Sequence, residues 1–312
     1  MSDNKKKQIK VKTKYAKSAP LLMIAAPGIL YLLINNYIPM FGIFLAFKNF
    51  SYKKGVWGSP WSGFQNFKFL FQTSDALIMT RNTILYNLGF IVLGTVVAII
   101  IAILLNALGD SVRTKFFQSS LLLPNLMSWV IIAYMVYAFL NSDSGFINNT
   151  ILKGLGKEEV AWYMQKQYWP FILTFVYLWK NAGYQSIIYL AAIAGIDKSV
   201  YEAASLDGAT KMQQIFRITL PLLKPTVIIM SLMAVGRIFF SDFGLFYQVP
   251  MNSGALYATT QTIDTYVYRG LMELNDVGMS AAAGLFQSVL GFIIVVSANA
   301  FVRKVDSDNA LF

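Results

Sequence analysis

The chain contains no cysteine and no histidine among its 312 residues. The first absence removes thiol nucleophiles, disulfides and thiolate metal sites. The second removes imidazole ligands and the usual proton shuttle near neutral pH. Charge is scarce as well: 13% of the residues are Asp, Glu, Lys or Arg, against 56% hydrophobic. The sparse acids within apolar stretches form no recognisable acid/base pair, so no enzyme is expected and no metal or cofactor is assigned to this chain. A GxxxxGKS/T phosphate loop is missing too, so nothing here cradles nucleotide phosphates in the usual way.

What remains is apolar length. A mean hydropathy of +0.53 marks a membrane-embedded class. Six stretches, near 21–47, 84–106, 117–140, 170–194, 225–249 and 277–302, reach the roughly 20 residues needed to cross about 30 Å of hydrocarbon. Helices satisfy their own backbone in lipid. The expected fold is therefore an all-α membrane protein: a basic tail over 1–20, then a single transmembrane domain over 21–312 with six transmembrane helices. The first apolar run is too long for the h-region of a signal peptide and reads as a retained span.

The tail holds Lys5, Lys6, Lys7, Lys10, Lys12, Lys14 and Lys17, a topogenic cytoplasmic pattern that can also meet anionic membrane lipid. Counting outward from it, most Lys and Arg fall in the segments assigned to the inside, which predicts an N-in/C-in chain. The net charge of +11 is thus topological, and no nucleic acid partner is expected. The intervening loops, 48–83 and 141–169, carry Trp57, Trp61, Phe64, Phe67, Phe69, Phe71, Trp162, Tyr163 and Trp169. Such aromatics suit an interfacial belt, or the docking of an extracytoplasmic partner.

Between the fourth and fifth spans, residues 196–224 form a loop with the sequence EAASLDGATKMQQIFRITLP over 202–221. An Ala-rich turn favours helix, Gly208 permits a sharp reversal, and a second helical stretch runs on until Pro221 and Pro225 prevent its continuation. The product is a helix–elbow–helix knob rimmed by Glu202 and Asp207.

The stretch resembles the EAA signature of binding-protein-dependent ABC permeases. All seven specified positions match: Glu202, Ala203, Ala204, Gly208, Ile218, Leu220 and Pro221. WKNAGYQSIIYLAAIAGI (179–196), SGFQNFKFLF (62–71), RNTILYN (81–87) and IDTYVYR (263–269) are similar to the maltose-type carbohydrate permeases, the last to their LplB-like branch. The resemblance covers nearly the whole chain after residue 20. It implies a type I ABC importer permease (MetI-like) core in the bacterial cytoplasmic membrane. Implied partners are a second, non-identical permease, two ATPase subunits that bind ATP and Mg, and an extracytoplasmic sugar-binding lipoprotein. It further implies that residues 199–212 are a coupling helix seated in an ATPase groove, with Glu202 and Asp207 facing basic groups.

Inside the spans, Lys180 and Arg237 fall near the membrane midplane by their position in sequence, and intramembrane cations are costly unless they face protein, water or a ligand. Asp242 is a potential partner for Arg237. Trp179, Asn181, Tyr184, Gln185 and Tyr189 surround Lys180 in sequence, and aromatic faces with amides and hydroxyls suit a sugar ring. The same residues suit helix–helix packing. The expected function is passage of an oligosaccharide, with an acidic, uronate-containing cargo supplying the missing countercharge. Alternatives are a small anionic solute such as a phosphorylated polyol, or a secondary carrier that needs no ATPase.

Overall fold

A computed structural model of the chain describes residues 20–68, 72–109 and 111–305. Most of the basic tail, and Phe69 and Phe71 of the aromatic loop, lie outside the described residues. Among those described, the architecture is helical, with one isolated antiparallel bridge between Lys48 and Trp61.

Helix α1 (Pro20–Phe47) carries a π turn at Leu33–Tyr37 and tightens to a 3-10 helix over Phe41–Phe47. Its apolar side chains stand exposed until that last part, which packs on the C-terminal helix α9 (Val277–Val305). Helix α2 (Ser74–Ala107) is the spine. It lies along α5 (Trp169–Ala194) in the most extensive helix pair of the molecule. Phe90 of α2 stacks on Tyr177 of α5 with centroids 3.8 Å apart and planes within 5°. Three buried clusters each include α2: Phe90 with Trp169, Leu173 and Phe246; Met79 with Phe239 and Ile263; and Ala98 and Ala102 with Tyr189 and Leu223.

Among the described residues, four helices are long and apolar enough to cross a membrane: α1, α2, Lys211–Val235 and Val277–Lys304. A fifth is added if a bent pair is taken as one span. α5 has the length, but Lys180, Asn181 and Gln185 dilute its apolar character.

Two expected spans are corrected. The stretch 117–140 is not one helix but α3 (Val112–Leu126) and α4 (Trp129–Leu140), bent by 96°. Pro124 lies inside the last turn of α3, where it removes a backbone donor and crowds the preceding carbonyl. Met127 and Ser128 are extended, and the Ser128 hydroxyl caps α4 by accepting from Ile131 N at 3.3 Å. The stretch 225–249 is displaced: helix α7 (Lys211–Val235) starts earlier and stops at Gly236.

Pro221 and Pro225 therefore do not end the second helix of the 196–224 loop. A π turn at Ile215–Thr219 widens the coil just before Leu220, giving the Pro221 ring room in the first turn of the α-helix that follows. The hairpin's second helix and the following span are continuous.

The crossing of α3 and α5 depends on Gly183, where an added Cβ would overlap the Leu121 carbonyl. Gly183→Val should lower the melting temperature of the purified assembly, with an overpacking penalty of about 1–3 kcal/mol or more. Gly89→Ala, where nothing lies within 4 Å of an added Cβ, should not.

Candidate functional site

Beyond Gly236 the chain unwinds and crosses the inner side of α2 and α5. There a cavity of about 470 Å³ is lined by Asn87 of α2, Tyr177 and Asn181 of α5, and Arg237, Phe240, Ser241, Asp242 and Phe243 of the unwound segment. The structure thus brings together three expected residues, Asn181, Arg237 and Asp242. Arg237 does not sit within a helical span as expected, because α7 ends two residues before it. Its guanidinium is exposed and has no partner among the described residues. Asp242 does not pair with it. Its carboxylate accepts from the amides of Gly244 (3.1 Å) and Leu245 (3.4 Å) and from the Trp129 side chain.

The cluster read around Lys180 is dispersed, because an α-helix turns about 100° per residue. Trp179 and Tyr184 stand exposed. Gln185 and Tyr189 face α2: Gln185 bonds Tyr177 and packs on Gly94, and Tyr189 is buried and bonds Thr95. Lys180, expected as a pathway candidate, does not line this cavity. It is only 7% exposed, and its Nζ donates to the carbonyls of Pro124 (3.2 Å), Asn125 (3.0 Å) and Met127 (2.6 Å). It also lies 5.0 Å from the centroid of the Trp129 ring. Lys180 is therefore the cationic cap of the proline-broken α3, its charge set against the helix's carbonyl end.

The hairpin is built by explicit caps. Helix α6 (Lys198–Leu206) opens at Asp197, whose side chain accepts from Ser199 N at 2.9 Å. Hydrogen bonds from the Ser199 backbone and side chain hold this carboxyl below its ordinary range. The helix closes with Gly208 N to Ser205 O (3.1 Å) and Ala209 N to Ala204 O (2.9 Å), with Gly208 at φ +79°. That is a Schellman stop. Two residues on, Thr210 opens α7 through a reciprocal box with Gln213.

Behind the elbow, Tyr201 and Thr219 hydroxyls meet at 2.9 Å, and Gln214 Nε2 donates to Ser205 Oγ at 2.8 Å. The outer face is left bare: Glu202, Ala203, Asp207 and Gly208 are exposed, and Leu206 is 90% exposed at the tip. Ala204, Ile218 and Leu220 are half-buried on the inner side, and Pro221 is exposed on α7.

Sequence reasoning missed Asn87, Tyr177, Ser241 and the phenylalanines of the cavity, and the inner bonds of the hairpin. It also gave no role to Arg269, the last residue of IDTYVYR. Arg269 is 8% exposed, donates to Asn252 Oδ1 (3.1 Å) and Gln261 Oε1 (3.0 Å), and lies over the Tyr257 ring at 4.1 Å. Burial pulls its pKa down from the ordinary arginine value.

A helical membrane protein with a polar cavity at a broken helix, and a bare capped hairpin at the other end of that helix, has the parts of a membrane permease. Residues 94–307 match the family of binding-protein-dependent transport system inner membrane components, and the chain belongs to that family. It is a multi-pass inner-membrane transport component with a MetI-like permease fold, and not an enzyme.

Protein LplB of Bacillus subtilis (strain 168) is 33% identical over 289 residues, 92% of this chain and 90% of that protein. The polygalacturonan/rhamnogalacturonan transport system permease protein YteP of the same organism is 30% identical over 300 residues, 96% and 92% of the two chains. A crystal structure of a bacterial ABC transporter involved in the import of the acidic polysaccharide alginate superposes with a TM-score of 0.86 at 31% identity, covering 95% of this chain and 99% of that one. A second structure, of a bacterial alginate ABC transporter in complex with a periplasmic protein bound to alginate pentasaccharide, gives 0.84 at 31% identity, covering 94% and 97%.

Two cations, two different outcomes are expected. Lys180→Gln should destabilise the assembly by about 1–3 kcal/mol, because buried carbonyls lose their donor, and should do so whatever the cargo. Arg237→Gln should leave thermal unfolding unchanged.

At the hairpin, Gly208→Val forces a β-branched residue to φ +79° at a cost of about 1–2 kcal/mol or more. Sugar uptake and ATPase stimulation should collapse while the chain still inserts; normal stimulation in a reconstituted complex would remove the hairpin from coupling. The lowered Asp197 pKa implies that its cap is present above the ordinary carboxylate pKa and lost only as pH falls through the lowered value. Hydrogen exchange at Ser199 should show that sign.

Proposed function

We propose that this chain is one of two non-identical permease subunits of an ABC importer for an oligosaccharide bearing carboxylates. The observation that carries the cargo is Arg237: an unpartnered guanidinium on a cavity wall that also bears amides, hydroxyls, aromatic rings and the Asp242 carboxylate, the last already engaged by the Gly244 and Leu245 amides. A guanidinium fits a carboxylate with two parallel hydrogen bonds, while Asn87, Asn181, Ser241, Tyr177 and Phe240 offer the polar edges and flat faces that sugar rings need. The relatives support the same chemistry, since one is a polygalacturonan/rhamnogalacturonan transport permease and another is part of an importer of the acidic polysaccharide alginate. With Lys180 committed to α3, the countercharge rests on Arg237 alone.

Family membership supports the rest of the reading. α1, α2, the α3–α4 pair, α5, α7 and α9 serve as six spans, N-in and C-in, which puts the hairpin in the cytoplasm. Glu202, Ala203, Asp207 and Gly208 then face the groove of one of two ATPase subunits, which bind ATP and Mg. The cargo arrives on an extracytoplasmic binding lipoprotein, and the apolar surface of α1 lies against membrane lipid or the second permease. Family membership disfavours a secondary carrier. A small anion such as a phosphorylated polyol would use Arg237 too, but has no need of the aromatic and amide walls.

The test compares uptake of an acidic oligosaccharide with its carboxyl-reduced analogue in a reconstituted complex of one chain, one sister permease and two ATPases. Wild type should favour the acidic form, and Arg237→Gln should lower that preference about 10-fold or more, the size of one charge-assisted hydrogen bond. Equal handling of both sugars by wild type would refute an acidic cargo. A transport-competent assembly without an ATPase, weighed by native mass spectrometry, would refute the importer itself.

A further inference from the structure

Where α7 ends at Gly236 the chain continues in tight turns (Arg237 N to Ala234 O, Ile238 N to Val235 O and Phe240 N to Arg237 O), and the backbone groups these turns leave over find side-chain partners on three different helices. Asn87 of α2 donates Nδ2 to Ile238 O (2.8 Å) and Phe240 O (3.2 Å). Gln287 of α9 donates Nε2 to Phe239 O at 2.6 Å. Asp264, in the first turn of α8 (Ile263–Met272), accepts from Ser241 N at 2.7 Å. The Ser241 hydroxyl lies 2.7 Å from both Asp264 Oδ2 and Thr262 Oγ1. Gln287 Nε2 also reaches Asp264 Oδ1 at 3.1 Å, closing the network.

Ile238 and Phe239 are buried at 8% and 3% exposure, so their side chains anchor the segment while Arg237, just before them, stays exposed on the cavity wall. The polar groups of this network are not cavity-lining apart from Asn87 and Ser241. Among the described residues the side-chain hydrogen bonds of Asp264 and Gln287 go to the backbone and hydroxyl of the segment and to each other.

We propose that Asp264 and Gln287 are positioning residues of the pathway: they fix the unwound segment 236–243 as a rigid shelf and thereby hold the Arg237 guanidinium at the cavity. Backbone groups freed in apolar surroundings are costly unless paired, so the shelf has one well-satisfied geometry. The segment is then a static element of the cargo path, and the movement that opens and closes the path falls on the helices around it. This rests on reading the cavity as part of the path, and not on the charge of the cargo.

Two measurements on the reconstituted transporter test it. In the first, Asp264→Ala and Gln287→Ala should lower sugar uptake per ATP hydrolysed about 10-fold, while ATPase stimulation by cargo-loaded binding protein stays within about 2-fold of wild type. Asp264→Asn, whose amide oxygen can still accept from Ser241 N, should recover most of the uptake. The second uses the absence of cysteine from the chain. Arg237→Cys supplies a single thiol, whose labelling rate by a charged methanethiosulfonate should change about 5-fold or more when Asp264→Ala is added, the coupling expected of contacting elements. Asp264→Asn should return that rate toward the Arg237→Cys value.

Equal labelling rates in all three backgrounds would overturn the proposal. Uptake and ATPase activity that fall together, with no recovery in Asp264→Asn, would do the same. If Asp264→Ala fails to assemble, Gln287→Met carries both measurements, because it removes the donor and keeps the volume. The labelling needs no cargo, so failure of the acidic-oligosaccharide reading leaves this result standing on its own.

Discussion

Backbone polar groups freed inside an apolar protein must find partners, and this chain frees them in two places. Pro124 breaks the helix pair 112–140, and Gly236 ends α7 ahead of an unwound segment. At the first break the partner is the Lys180 ammonium, and at the second it is a set of neutral and acidic side chains from α2, α8 and α9. Trp129 stands between the two. Its ring lies against Lys180 and its side chain bonds Asp242, so the repair of one break abuts the repair of the other. Gly244 completes the contact, since any Cβ there would overlap the Trp129 ring. The cavity exists because these breaks are held open at low cost rather than closed into continuous helices.

The same constraint explains how the two expected cations, Lys180 and Arg237, are placed. Among the described residues neither cation forms a direct ion pair: Lys180 is bonded by carbonyl dipoles with the Asp242 charge further off, and Arg237 is turned to the cavity. A cation held by several carbonyls belongs to the scaffold, whereas one with none is available to a ligand.

Class and family were legible from the sequence for definite reasons. Helical membrane proteins declare themselves by composition, because the apolar excess is spread over hundreds of positions. The EAA pattern is specific because seven positions must agree, and the structure shows physical reasons for some of them, such as the positive φ of Gly208 in a Schellman stop. The breaks were not legible, since a hydropathy average over about 20 residues gives little weight to one proline or one glycine. Nor was the azimuth of α5. Trp179 to Tyr189 are neighbours in sequence, yet the helix deals them to the outer surface of the chain, to α3, to α2 and to the cavity, and of those named only Asn181 reaches the cavity. The stretches RNTILYN and IDTYVYR marked the resemblance without revealing a task. Asn87 from one and Asp264 from the other turn out to brace the same unwound segment.

One further consequence lies in the continuity of α7. It starts at Lys211, directly after the Thr210 cap, and runs unbroken for 25 residues to the edge of the cavity, a rod of about 37 Å at 1.5 Å per residue. Had the prolines ended the hairpin's second helix, any displacement there would be absorbed by a slack joint. As built, the rod behaves as a lever: a tilt of about 5° at the elbow end sweeps the far end through roughly 3 Å, a distance comparable to one hydrogen bond. A small rocking of the exposed elbow would thus reach Gly236, where the braced segment begins, instead of being lost in a loop.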